Sequence, residues 1–112
     1  MSMYLLTVEG SERFGSTIRV LPRVPVRWLI ERAPNLIMPV RGDALNLRLP
    51  SGRVAVASVE SFGIDMWEVD GTLVSDSDPT EPELALTIAG ELVPDDVPAG
   101  TEIWLADPRY ET

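Results

Sequence analysis

The chain contains no cysteine, no histidine and no lysine. Without cysteine it can form no disulfide and has no thiol nucleophile. Without histidine it has no Ser-His triad and no imidazole ligand for zinc within one chain. No remaining side chain has an unperturbed pKa near neutrality. An enzyme built from this alphabet would rely on carboxylates, Arg, Tyr or a bound cofactor, and none is expected here: no enzymatic activity, no catalytic residue and no cofactor. Long hydrophobic runs are also missing. No apolar stretch approaches the roughly 20 residues that cross a bilayer. The opening M-S-M-Y-L-L-T-V-E-G lacks the basic region and small-residue cleavage site of a secretory leader. The expectation is a soluble, cytoplasmic chain.

The chain has 112 residues, of which 45% are hydrophobic. That is enough for one domain with one core and argues against intrinsic disorder. Ten prolines and eight glycines are spread along the chain. So distributed, they punctuate short elements and favour an all-β fold. The formal net charge is −9, which argues against binding nucleic acid or an anionic membrane, because phosphates are neutralised by clustered cations. The charge is uneven. Residues 1–53 hold eight Arg against Glu9, Glu12, Glu31 and Asp43, a net of +4; residues 54–112 hold Arg109 against fourteen acids, a net of −13. Either the halves interleave and their charges mix, or the surface is dipolar and steers a partner.

The central stretch runs from Val40 to Ile64. Leu45, Leu47 and Leu49 alternate with Asn46 and Arg48, the period of a half-buried strand. Pro50-Ser51-Gly52 is turn chemistry, and Val54, Val56 and Val59 supply a β-branched return strand. Before this hairpin, residues 3–8 suit a first strand with Tyr4, Leu6 and Val8 on one face, and residues 10–15 suit a loop whose Phe14 packs inward. In residues 17–24, Ile18, Val20, Pro22 and Val24 face one way and Arg19, Leu21 and Arg23 the other. Pro22 has no N–H, so this strand should meet an edge or a bulge there. Pro25, Pro34 and Pro39 limit any helix between them to about two turns, and residues 26–39 read as irregular or strand-like.

After the hairpin, Asp70-Gly71 marks a tight turn, residues 75–83 an acidic loop, and Leu84, Leu86 and Ile88 another strand. Pro94 to Gly100 suits a turn. A last strand puts Ile103 and Leu105 on one face, Glu102 and Trp104 on the other. About seven short strands with no amphipathic helix predict a small closed antiparallel β-barrel of six or seven strands with Greek-key-type connections. It should occupy residues 1–106, followed by a tail over 107–112.

The order of these elements resembles the β-barrel second domain of elongation factor Tu and related translational GTPases. Three pieces carry the likeness. Residues 4–20, from Y-L-L-T-V-E-G-S-E-R-F onward, look like the opening strand, acidic-then-Phe loop and second strand. Val40-Arg41-Gly42-Asp43 with Leu45 and Leu47 looks like the strand entry, and Val59-Glu60-Ser61-Phe62 like the end of the next strand. Residues 83–105 resemble the closing pair, with the D-D-V-x-x-G turn at Asp95, Asp96, Val97 and Gly100. The resemblance implies a closed barrel used as a docking module. It does not imply GTP hydrolysis, because no G-x-x-x-x-G-K-[ST] loop is present. No residue carries over as a tRNA contact.

The candidate sites are few. Asp76, Asp78 and Glu83 lie in a loop that resembles the start of a calcium site, but the sixth position is Glu81 rather than Gly and the twelfth Thr87 rather than Glu; a solvated acidic loop is the default. Asp95-Asp96 suits turn capping. Arg19, Arg23 and Arg27 could form an anion-binding face, with Arg32 nearby. Trp28, Trp67 and Trp104 could anchor an interface or equally pack in the core, with Trp104 the best surface candidate because Ile103 and Leu105 claim the inner face. The expected role is a protein–protein docking module, through an unknown partner or self-association, with no membrane. The alternatives are an RNA-contacting accessory of translation using the Arg face and, below that, a carboxylate- or metal-dependent hydrolase.

Overall fold

The computed structural model describes residues 2–64, 66–75 and 80–111. Its strands follow the alternation in the sequence. The elements are β1 (Met3–Thr7), β2 (Gly10–Phe14), β3 (Thr17–Pro25), helix α1 (Val26–Arg32), β4 (Leu36–Ile37), β5 (Ala44–Arg48) and β6 (Val54–Gly63). There follow β7 (Trp67–Val69), β8 (Thr72–Val74), β9 (Glu83–Ala89), β10 (Glu102–Leu105) and β11 (Arg109–Tyr110). Seven of the strands form one antiparallel sheet in the order β1-β10-β5-β6-β9-β3-β2. In it β10 returns to lie beside β5 while β5, β6 and β9 are successive neighbours, a Greek-key order.

The sheet is curled but is not the closed barrel expected from the strand count: its hydrogen-bond order ends at β1 on one side and β2 on the other. The two edges are consecutive in the chain. At their joint the Val8 N–H donates to Thr101 O (2.7 Å) and the Glu9 N–H to Leu21 O (2.7 Å). The chain thus leaves β3 at Leu21 to run along β10. The rest of β3, in which Pro22 and Pro25 have no N–H to offer, faces β1 across a cleft of about 290 Å³. As Pro22 predicts, the register between β3 and β9 shifts between Val20 and Val24.

The concave side holds the core. Ile18, Val20 and Val24 enter it from β3, Leu45 and Leu47 from β5, Leu84, Leu86 and Ile88 from β9, and Ile103 and Leu105 from β10. Leu45 pairs with Ala57 and Leu47 with Ala55, so large side chains of β5 lie beside small ones of β6. The predicted turns form. Gly52 and Gly71 both have positive φ, Gly52 donates to Leu49 O (2.9 Å), and Asp70-Gly71 joins β7 to β8. Among the described residues those two strands make a separate ribbon, paired only with each other.

Three local expectations change. Residues 26–32 are a helix of two turns, entered at Pro25, with the Val26 N–H donated to Pro82 O (3.0 Å) and Leu29 buried. It fits between Pro25 and Pro34, which bound its length. Residues 10–14 are a strand, and Phe14 is 55% exposed rather than buried; the Arg19 guanidinium lies 4.5 Å over its ring. In β1 a bulge falls between Tyr4 and Leu6. The extra residue, Leu5, is buried with Leu6 and Val8, and Tyr4 moves to the convex side.

The stretch expected as a tail runs back along the body. Residues Arg109 and Tyr110 pair with Ile37 and Leu36, and the Glu111 N–H donates to Asn35 O (2.7 Å). No helix among the described residues is long and apolar enough to cross a membrane.

Candidate interaction face

Register decides what meets on the convex side. Across four hydrogen-bonded strands, Tyr4 pairs with Trp104, Trp104 with Asn46, and Asn46 with Val56. The next row is Thr7, Glu102, Arg48 and Val54. At the usual strand spacing each row spans roughly 14 Å. The inward neighbours Leu45, Leu47, Ile103 and Leu105 are buried, so these rows must point outward. Val54 and Val56 are 65% and 73% exposed.

Helix α1 adds Trp28 to one end. Tyr4 packs edge-on against Trp28, with ring centroids 6.2 Å apart, and edge-on against Trp104 at 5.5 Å. These are the attractive geometries for aromatic pairs. Each indole carries a guanidinium: Arg32 lies 5.3 Å over Trp28, and Arg48 lies 4.3 Å over Trp104. The Trp104 ring is held further by its Nε1–H, which donates to Glu102 Oε1 (3.0 Å), and the Tyr4 hydroxyl shares a 2.6 Å hydrogen bond with Thr7 Oγ1. The result is a continuous chain of Arg32, Trp28, Tyr4, Trp104 and Arg48.

Among the described residues neither Arg32 nor Arg48 has a carboxylate within ion-pair distance. A stacked guanidinium keeps its in-plane N–H groups, which suit a carboxylate. The chain carries 18 acids against nine Arg. Most Arg could therefore have found a partner, and these two are held on rings instead.

Trp28 and Trp104 thus lie on one face. Arg19 and Arg23 point outward together from β3, as predicted, but do not join that face as a unit. Arg19 covers Phe14 and sits opposite Glu12 and Thr87 in the ladders. Arg23 lines the cleft between β1 and β3, beside Tyr4 and Trp28. Arg27 is exposed at the start of α1, on a cleft of about 690 Å³ that reaches Thr80 to Glu83. That cleft borders Thr80, at the edge of the described residues.

Trp67 opens β7, opposite Val74. Glu83 opens β9, opposite Pro25; Asp76 and Asp78 lie outside the described residues. Among the described residues no group of three or more acids could hold a metal ion. Asp96 caps its turn, accepting from the Val93 N–H at 2.9 Å.

Sequence reasoning missed Tyr4, Arg48 and the outward Val54 and Val56. The alternation around Leu45 and Leu47 already turned Arg48 outward. Its meeting with Trp104 depended on which strands become neighbours. A comparison of the chain with protein-family models, curated proteins and solved structures found no match.

Proposed function

We propose that this chain is a non-enzymatic, cytoplasmic docking module that binds another protein through the convex face built from Tyr4, Trp28, Trp104, Arg32, Arg48, Val54 and Val56. One observation carries the reading: two cross-strand rows and a helix bring aromatic rings, two stacked guanidiniums and two exposed valines into one contiguous patch. Single exposed apolar residues need no explanation, whereas a contiguous group of them marks an interaction surface. Aromatic and Arg side chains are those enriched at binding hot spots. Fully burying a valine is worth about 1.5–3 kcal/mol, and most of that is unclaimed at Val54 and Val56. The missing His and Cys support a role outside catalysis. The resemblance to the second domain of elongation factor Tu belongs to the same proposal, although the sheet here is open where that resemblance implies a closed barrel.

The RNA-contacting alternative has less support. Bases stack on open aromatic faces, whereas guanidiniums lie over both indoles here. The test is a photo-cross-linking residue at Val56, introduced in the cells of origin. Discrete protein adducts that diminish when Trp104 is changed to Ala support the reading. No adducts, or adducts to RNA alone, overturn it.

A further inference from the structure

The β7–β8 ribbon is a second surface to consider. Among the described residues its two strands form a ladder with each other and with no other strand. Leu73, 65% exposed, shares one side of the ribbon with Glu68, and Val69, 47% exposed, lies with Thr72 on the other. Its described side chains also include Glu68 and Asp70, neither of which has a cation within ion-pair distance among the described residues. One side of the ribbon therefore carries an acid beside an apolar side chain, Glu68 with Leu73, and the convex face carries a guanidinium beside one, Arg48 with Val54. Two-residue hairpin turns of this kind hold their strands in a defined twist. The two pairs are opposite in charge and alike in apolar surface.

We infer that the occupant of the convex face is the β7–β8 ribbon of a second copy of this chain, with Glu68 meeting Arg48 and Leu73 covering Val54 and Val56, as the cross-strand pairs Glu68–Leu73 and Arg48–Val54 allow. This rests on the docking reading above and names its partner. A reciprocal arrangement about a two-fold axis buries both surfaces of both copies at once, as isologous dimers do. Opposite charges across the contact set its register, while the net charge of −9 on each copy opposes the encounter, so charge variants locate the contact more sharply than salt does. The uneven charge of the two sequence halves then reads as self-complementarity between copies.

Light scattering on the full chain, from micromolar to submillimolar concentration at low and high salt, measures the state directly. Two charge variants locate the contact: Arg48→Glu on the face and Glu68→Arg on the ribbon. The expected result is a species of two chains for the natural sequence. Each variant alone should associate about tenfold or more weakly, and association should return when the two variants are mixed. Urea unfolding of each variant controls for folding. If the face variant fails to fold, the ribbon variant and Leu73→Asp carry the test, because they lie outside the seven-stranded sheet.

A natural chain that stays monomeric throughout overturns the inference, as does association indifferent to either variant or not restored by mixing. A monomer that still gives foreign adducts from Val56 removes the second copy as partner and leaves the docking reading intact.

Discussion

At the scale of single residues, Gly100 shows how a turn and a packing contact can require the same side chain. Its φ is +93°, and a Cβ built there would lie 3.0 Å from Pro50 Cγ. Both the backbone and the neighbour oppose any substitution. Gly100→Ala is expected to cost about 1–3 kcal/mol, read as a lower urea midpoint with an unchanged slope. The glycine was visible in the P-A-G stretch as turn chemistry. Its approach to Pro50 was not, because 50 residues separate the two turns. Asp43 is similar. Its Oδ2 accepts from the Val40 N–H at 2.9 Å, a local contact, and also from Arg109 Nη2 at 2.8 Å, a partner that no local pattern reveals.

Elements were legible wherever alternation and turn residues agreed. The β5–β6 hairpin, the Asp70-Gly71 turn and β10 formed as their patterns require. Helix α1 was bounded correctly by its prolines but read as irregular, since seven residues are too few to show a 3.6 period. The bulge in β1 was hidden for a related reason. Inserting one residue reverses the facing of everything before it, and no turn residue marks the place. The consequence is large, because the bulge brings Tyr4 to the aromatic face. Two elements invite direct tests. Arg109→Ala should release β11 while leaving the main sheet intact, read as faster amide exchange at Leu36 and Ile37 with little change in global stability. Gly71→Val should melt the β7–β8 ribbon, since position 71 has a φ of +78° that β-branched residues resist. The unfolding midpoint should barely move, because the ribbon is no part of the seven-stranded ladder.

The whole molecule is one sheet curled over one core. Leu47 is completely buried in it, and Leu47→Ala should cost about 2–5 kcal/mol, enough to threaten a domain of ordinary stability. The excess of acids acts on the same scale. With a net charge of −9, self-repulsion opposes the compact state. Added sodium chloride shortens the Debye length to about 8 Å at physiological strength. The urea midpoint should therefore rise with moderate salt; a midpoint that falls would show that attractive pairs outweigh the repulsion.

By itself the amino-acid order determined the β class, the positions of the main strands, the turns and the inward side of β3, β5, β9 and β10. Those properties depend on neighbours two to four residues away, where alternation, proline and glycine act. Tertiary structure alone decided that the sheet stays open at its edges, that α1 leans Trp28 against Tyr4, and that Arg48 comes to rest on Trp104. Each of these joins residues far apart in the chain, and strand order and register, set by the packing of the entire core, choose which of them become neighbours.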